Sequence, residues 1–406
     1  MKFRINSLVK GSFILMITFG LFNFLNYIYH FSMARFLTVA EYGIVATLFS
    51  MIYILGIFTE SIQTVMTKFS SAEKEPGRLK NLFKRAEKKG LSMAIKVYAA
   101  FLIFSIFLSP LLKIPYGLMA LTGIIIFTSF LLPVSRGIMQ GLKRFKALGI
   151  NMVLESAIKL VLALFFVFIG WKAYGAMAGA VLGTIGALIL SYPALVGILK
   201  SRERETKVKS IYSYSAPVFL LTFTILCFYS IDVIIAKIVF DSTTAGEYAI
   251  ASILSKTIFF GTFPIGKAMF PLSAERNRDN SSKIFAQALG ILTFCIVSAL
   301  AVFYFFPELL ILIFSGKNIP SSSSILLYLA LATSILSYAN LTILYKLSRG
   351  NIRGYGFGIF FLIFEAILLV YFSQSLLSFS LAFLTSSALF LWWTVTFLQE
   401  WKDANI

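Results

Sequence analysis

The sequence predicts an all-α polytopic membrane protein of about twelve transmembrane helices in two pseudo-symmetric six-helix bundles. Three observations lead to this prediction: a very apolar composition, hydrophobic runs long enough to cross a bilayer, and a pattern shared by the two halves. Of the 406 residues, 59% are hydrophobic and 13% are charged, whereas soluble domains carry about 25% charged residues. The composition therefore excludes a soluble enzyme.

Polar or charged clusters separate the apolar runs, and a helix needs about 20 mostly apolar residues to span a bilayer. The first run is too long for the apolar part of a signal peptide, so we expect it to remain in the membrane. The predicted spans are residues 11–34, 42–67, 91–112, 116–140, 149–171, 173–199, 211–236, 246–270, 284–306, 324–345, 355–372 and 376–398.

The charges are distributed unevenly among the loops between these spans. The chain holds 36 basic and 17 acidic residues, a net charge of +19. Most basic residues lie in alternate loops, and cytoplasmic loops are the ones that carry an excess of Lys and Arg. We therefore predict a protein of the cytoplasmic membrane with both termini in the cytoplasm, and no nucleic-acid partner. The predicted outward loops hold only Arg35, Lys113, Lys172, Lys237 and Lys317.

A short pattern near the start of the chain recurs in the second half. MARFL at 33–37 and EYG at 41–43 correspond to IAKIV at 235–239 and EYA at 247–249. An even number of spans separates the copies, so both halves share one orientation in the membrane. The predicted domains are an amino-terminal six-helix lobe at 1–200, a cytoplasmic linker at 201–210 and a carboxy-terminal six-helix lobe at 211–406.

Residue types that carry chemistry are scarce. With 1 His and 2 Cys, the chain has too few ligands for a metal cluster and too few cysteines for a disulfide scaffold. No nucleophile, paired-carboxylate or phosphate-loop pattern occurs. The longest outward loop offers one acid, Glu308. We therefore predict no enzymatic activity, no metal site and no cofactor, and favour transport.

Charged residues inside spans are costly in hydrocarbon, so we expect them to face a protein interior or a water-filled cavity. Lys256 and Lys267 lie in the eighth predicted span, about three helical turns apart and therefore on nearly one face. Pro264 between them is expected to kink the helix. Both lysines are predicted to bind substrate, with snorkelling of Lys267 to the headgroups as the alternative.

A polar stripe runs along the first predicted span. Asn23, Asn26 and His30 recur at helical spacing, with Arg35 at the outer end. The internal repeat places Lys237 at the position that corresponds to Arg35. We predict that these five residues also contact substrate; a structural role or headgroup contacts are the alternative.

Three acids within predicted spans, Glu60, Asp232 and Glu365, have no partner at helical spacing. An intramembrane carboxylate can bind Na+ or exchange a proton, so all three are candidates for ion coupling. A structural hydrogen bond to a neighbouring helix is the competing interpretation.

Other polar and small residues favour structural roles. The i,i+4 spacing of Glu155 and Lys159 predicts an ion pair, and Arg136 is expected to snorkel towards the cytoplasm. A series of glycines at four-residue spacing is expected to pack closely against another helix of the first lobe. This series consists of Gly175, Gly179 and Gly183.

The chain resembles the polysaccharide-flippase branch of the multidrug/oligosaccharidyl-lipid/polysaccharide (MOP) exporter superfamily. The resemblance implies two six-helix lobes facing a central cavity and outward movement of a polyprenyl-linked oligosaccharide by alternating access. The chain looks about two helices shorter than the peptidoglycan-precursor flippases of this superfamily. The motifs behind the resemblance are ARFL at 34–37, EYG at 41–43, RGIMQGLKRF at 136–145, AGEY at 245–248 and FPL at 270–272.

The resemblance implies a polyprenyl-(di)phosphate-linked oligosaccharide as cargo, with glycosyltransferases or a polymerase of the same pathway as further partners. The anionic linkage would meet Lys256, and Arg35 and Lys237 would lie nearer the outside. An ion-coupled exporter of drugs or organic cations with the same fold is the alternative, for which acids should dominate within the membrane. A membrane glycosyltransferase or polymerase is disfavoured by the short outward loops.

Overall fold

The computed structural model describes residues 7–73, 75–205, 216–273, 278–349 and 352–400. Almost all of these residues are helical. The exception to the all-α fold is a short antiparallel pairing of Ile352–Arg353 with Gln399–Glu400.

The described residues form two compact units. One contains residues 7–37 and 55–205, and the other contains residues 38–54 and 216–400. The second helix is thus divided between them, because its first half packs with the second unit. The sequence prediction divides the chain at one place, residues 201–210. The two units are instead defined by which residues pack together.

The first unit is built around an apolar core that includes Met66, Phe83 and Val134. A π-helical turn at Val167–Trp171 contains Gly170, whose φ of 94° is unfavourable for other residues. The helices are α1 (Ser7–Phe36), α2 (Val39–Ala72, shared with the second unit), α3 (Pro76–Leu112), α4 (Tyr116–Gly123), α5 (Ile125–Gly141), α6 (Phe145–Phe166), α7 (Lys172–Ser191) and α8 (Val196–Leu199).

The second unit contains eight further helices. Their starts include two side-chain caps: Asp241 accepts hydrogen bonds from the Thr243 and Thr244 N–H groups, and Ser375 forms a capping box with Ser378. The helices are α9 (Ala216–Val239), α10 (Ser242–Ser255), α11 (Thr257–Ser273), α12 (Arg278–Phe305), α13 (Pro307–Ser315), α14 (Pro320–Ser348), α15 (Phe357–Tyr371) and α16 (Leu376–Thr396).

The helices are long and apolar enough for a multi-pass membrane protein. Within the described residues, nine helices or joined helix pairs meet the length and composition needed to cross a membrane. The joined stretch Phe145–Leu199 covers two predicted spans, and α15 is a shorter apolar helix. Each predicted span has a helical counterpart, so the predicted all-α membrane fold is confirmed.

The glycine series on α7 packs against α6, as the sequence predicts. A Cβ atom added to Gly179 would lie 2.6 Å from Ala163 Cα, and one added to Gly183 would lie 2.7 Å from Lys159 Cβ. Only glycine permits this approach of the two helices. The contact brings the polar residues of α6 close to the helices around them.

The chain that follows α8 is held against the start of α3 within the first unit. Lys84 Nζ lies 2.6 Å from Glu203 Oε2, and Arg204 Nη1 lies 2.5 Å from Glu75 Oε1. Hydrogen bonds from Lys84 and Asn81 hold the pKa of Glu203 below its usual value. Residues 201–205 of the predicted linker are therefore attached to α3, and the predicted residues 206–210 lie outside the described residues.

Candidate functional site

A buried ion pair lies at the centre of the second unit. Lys256 Nζ donates a hydrogen bond to Asp232 Oδ1 at 2.8 Å, and the two side chains are 1% and 0% exposed. Asp232 belongs to α9, whereas Lys256 occupies the junction between α10 and α11. The partner of Asp232 thus comes from another helix.

Two hydroxyl groups from one face of α10 complete the surroundings of Asp232. Tyr248 donates to Asp232 Oδ2 at 3.1 Å, and Ser252 donates to the same oxygen at 2.7 Å. These residues are four positions apart and therefore adjacent on the helix surface. The Lys256 ammonium also lies 4.8 Å from the centre of the Tyr229 ring, a favourable cation–π geometry. The Asp232 carboxylate therefore accepts three charge-assisted hydrogen bonds.

Glu365 on α15 is the second buried acid of this unit. Its side chain is completely buried, and neither carboxylate oxygen has a hydrogen-bond partner among the described residues. Asp232 and Lys256 lie within electrostatic range of it. We use the name carboxylate–lysine cluster for Asp232, Lys256 and Glu365.

The packing of α15 on α9 explains why Glu365 faces this cluster. A Cβ atom on Gly358 would lie 2.8 Å from Thr224 Oγ1 of α9, so the helices approach closely at that point. Glu365 follows Gly358 by about two helical turns and thus lies on the same face of α15. The glycine therefore determines which side of α15 faces α9.

A second buried group of charges lies in the first unit. Arg136 Nη2 lies 2.6 Å from Glu155 Oε2, and Arg136 Nε donates to Asn151 Oδ1 at 2.8 Å. Asn151 in turn donates to the Ala187 carbonyl oxygen at 2.7 Å. Arg136 is 7% exposed, so the prediction that it snorkels is wrong. Its guanidinium has buried partners on α6 that stabilise it there.

Lys159, one turn after Glu155, joins α6 to α1. Its ammonium donates a hydrogen bond to Asn26 Oδ1 and lies 4.6 Å from the centre of the Tyr29 ring. The Tyr29 hydroxyl donates to the Ala176 carbonyl oxygen at 2.8 Å. The i,i+4 spacing did not reveal that Glu155 pairs with Arg136 or that Lys159 contacts Asn26, because both partners lie on other helices.

The residues of the predicted polar stripe on α1 differ in their burial and in their contacts. Asn23 is half-buried and donates to the Phe19 carbonyl oxygen of its own helix at 3.0 Å. His30 is buried, and its ring meets the Tyr29 ring edge-on, with the centroids 5.5 Å apart. Asn26 is the residue of this stripe that contacts a buried charge on another helix, the Lys159 ammonium of α6.

The other predicted cations do not join the carboxylate–lysine cluster. Lys267 and Arg35 are exposed, as is the predicted acid Glu60. Lys237 is buried and donates to Ser242 Oγ at 3.3 Å. Lys256 and Lys267 therefore have different environments, although the sequence placed them on one helix face. The interruption at Lys256 separates the helix into α10 and α11.

The residues described by the structure contain no group of three or more His, Cys, Asp or Glu side chains that could hold a metal ion. The carboxylate–lysine cluster contains two acids and brings an ammonium group to them. One acid is thus paired with an ammonium group, and the other has no hydrogen-bond partner among the described residues.

Solved structures with the same fold are transporters. An inward-facing multidrug transporter of the MATE family matches with a TM-score of 0.72 and 12% identity, over 92% of this chain and 93% of that one. The lipid II flippase MurJ matches with a TM-score of 0.68 and 14% identity, over 94% and 87% of the two chains.

A third structural match is a MOP superfamily transporter from Pyrococcus furiosus, described as having a binding pocket of reverse polarity. Its TM-score is 0.58 and its identity 16%, over 96% of this chain and 94% of that one. These three matches show that the chain has the fold of these transporters.

Sequence comparisons extend this result. An uncharacterized membrane protein of Methanocaldococcus jannaschii is 25% identical over 352 residues, which cover 82% of this chain and 81% of that protein. A family model described as polysaccharide biosynthesis protein matches residues 8–277. The chain therefore belongs to this polysaccharide biosynthesis family of membrane proteins with the MOP transporter fold.

Proposed function

We propose that the protein is a flippase, not an enzyme, that moves a polyprenyl-(di)phosphate-linked oligosaccharide outward across the cytoplasmic membrane by alternating access. The family points to polysaccharide biosynthesis. A structural neighbour is a flippase for a lipid-linked molecule. The many apolar helices suit a protein whose cargo has a lipid tail.

The observation that most favours this cargo is the sign of the buried charges. Among the described residues, the buried Lys, Arg, Asp and Glu side chains are four bases and two acids, and Glu155, the half-buried partner of Arg136, adds a third acid. Positive charge inside a transporter attracts an anionic group such as a phosphate or diphosphate. The four bases are Arg136, Lys159, Lys237 and Lys256, and the two acids are Asp232 and Glu365.

The proposed contacts with the cargo differ in exposure. Lys267 and Arg35 are exposed, so a phosphate can reach them without a rearrangement of the helices. Lys256 is neutralised by Asp232, so it would contact the diphosphate only in a state in which this pair has opened. Asn23, Asn26, His30 and Lys237 remain proposed contacts with other parts of the cargo.

An exporter of organic cations is the second candidate, because a multidrug transporter has the same fold. Such a cargo should be attracted by acids, and the exposed acid Glu60 on α2 is the residue that could serve it. The excess of buried bases favours the anionic cargo instead. We place the protein in the cell membrane with both termini in the cytoplasm, working beside the glycosyltransferases or polymerase of its pathway.

Reconstituted vesicles test the proposal. Lys267→Gln removes one exposed charge and keeps most of the side chain. A charged hydrogen bond contributes about 1.5–3 kcal/mol, so we expect binding of the lipid-linked oligosaccharide to weaken roughly 10- to 150-fold. Translocation is measured as the appearance of the oligosaccharide on the opposite side of the vesicle.

The matched control is Lys283→Gln, which removes an exposed lysine from α12. It should leave translocation unchanged. If the wild-type protein moves organic cations but not the lipid-linked oligosaccharide, the flippase proposal is wrong and the exporter is favoured.

A further inference from the structure

We propose that Glu365 carries the proton that drives transport, and that the Lys256 ammonium occupies the position beside Asp232 where a sodium ion would otherwise bind. This inference rests on the proposed transport function and names its coupling ion. It is argued from the hydrogen bonds and burial of the carboxylate–lysine cluster.

Asp232 and the two hydroxyl groups bonded to it offer oxygen atoms of the kind that a hard cation prefers. The Asp232 carboxylate is joined by the hydroxyl oxygens of Tyr248 and Ser252, and oxygen ligands of this kind suit ions such as Na+. The Lys256 ammonium lies 2.8 Å from Asp232 Oδ1. It already supplies the positive charge, and it is attached to the chain. A free sodium ion at this position would meet a like charge.

The environment of Glu365 differs from that of Asp232. Asp232 receives three hydrogen bonds, whereas the two oxygens of Glu365 have none from the described residues. A buried ionised carboxylate without hydrogen bonds is highly unfavourable, and such a group takes up a proton. When the surroundings of two carboxyl groups differ in this way, one group remains an anion and the other carries a proton. Here Asp232 is the anion and Glu365 carries the proton.

The charge balance of the cluster leads to the same assignment. Asp232 and Lys256 neutralise each other, so an ionised Glu365 would leave a net negative charge in a completely buried site. Among the described groups that interact with Glu365, Cys227 of α9 and Tyr248 of α10 are uncharged in their ordinary forms. Helix α16, which also packs on α15, has no titratable side chain. A proton on Glu365 restores neutrality.

Loss of the Glu365 proton would change the charge balance of the carboxylate–lysine cluster. When water reaches the site, Glu365 can release its proton to that water and become a carboxylate. The Lys256 ammonium would then be attracted to two acids instead of one. The Lys256–Asp232 pair would then weaken, and the cluster would carry a net negative charge.

Infrared spectroscopy of the purified protein in lipid discs tests the proton. Glu365→Gln keeps the shape of the side chain and removes its acid. The wild-type-minus-variant spectrum should contain the carbonyl stretch of a protonated carboxylic acid. The same change at the exposed Glu308 should give the bands of an ionised carboxylate. Carboxylate bands from Glu365 would overturn the assignment.

Sodium dependence tests the role of Lys256. Replacing KCl with NaCl should leave the Tm of the wild-type protein unchanged, because the cation position is filled. Lys256→Gln vacates it, so the Tm of this variant should rise with each tenfold increase in Na+. Lys267→Gln is the control and should show no such rise.

Each outcome decides the inference without a transport assay. A sodium-dependent rise in the Tm of the wild type would overturn it even if Lys256→Gln failed to fold, and so would a folded Lys256→Gln variant that ignores sodium. Since neither measurement uses a cargo, both can succeed if the protein carries something other than an oligosaccharide lipid. Conversely, oligosaccharide translocation with these two results negative would leave the flippase intact and exclude this coupling site.

Discussion

Lys256 and Asp232 form a pair in which each charge depends on the other. Both side chains are fully buried, and the desolvation of two charges offsets much of their attraction. The pair therefore adds little stability compared with two apolar residues of similar size. Loss of one partner, however, leaves an uncompensated charge in the interior. The pair therefore limits which single substitutions of Lys256 or Asp232 the fold tolerates, although it adds little stability itself.

This asymmetry gives a measurable expectation for single and double variants. Lys256→Met should destabilise the protein by about 3–5 kcal/mol, because Asp232 stays buried without its counter-charge. The double variant Lys256→Met/Asp232→Asn should recover part of this loss, since no charge remains. Thermal unfolding in detergent micelles measures both changes.

The exposed pair Lys84–Glu203 is the matched control, because its N–O distance of 2.6 Å is close to the 2.8 Å of the buried pair. Lys84→Met alone should hardly change the Tm, since water solvates the remaining carboxylate. A double variant of the buried pair that is less stable than Lys256→Met would contradict the argument.

At the scale of the helices, the sequence was most informative about features that depend on the residues of one helix alone. Apolar runs located the spans, because a helix in lipid must satisfy its backbone internally. The glycine series on α7 indicated close packing, because small residues at four-residue spacing line one face. Both kinds of information are local.

Contacts between helices distant in the chain were missed. Nothing in the spacing links Asp232 with Lys256, or Arg136 with Glu155, because these partners meet only when different helices pack. The eighth predicted span is interrupted at Lys256, which the sequence did not indicate, whereas α11 runs through Pro264. A proline removes only one backbone donor, which helices in membranes tolerate.

The close packing of α6 on α7 can be tested at Gly179. Gly179→Val would place methyl groups where Ala163 already lies, and overpacking of this kind costs about 1–3 kcal/mol or more. We expect a lower Tm and a loss of monodisperse protein in size-exclusion chromatography.

Gly290→Val on α12 is the control for helix propensity, because a Cβ atom there meets nothing within 4 Å. The same β-branched residue enters a helix in both variants, and only the neighbouring helix differs. Equal losses at the two positions would show that the effect comes from the backbone and not from packing.

At the scale of the whole molecule, the positive charge has two separate locations. Most Lys and Arg residues lie outside the apolar spans predicted from the sequence, where such residues orient a membrane protein, whereas four basic side chains are buried among the described residues. The first group is the basis of the predicted orientation, and the second favours the proposed anionic cargo. The proposed outward direction of transport depends on the first group alone.

Labelling of single cysteines tests this orientation in intact cells. With Cys227 and Cys295 replaced by Ser, Glu205→Cys and Asn318→Cys each introduce one thiol at an exposed position. A membrane-impermeant maleimide should label only Asn318→Cys, because residue 205 follows the basic cytoplasmic segment and residue 318 lies in a loop poor in basic residues. Glu205→Cys should react once the membrane is permeabilised, which verifies that its thiol is accessible. The opposite pattern in intact cells would reverse the topology, and the proposed direction of transport with it.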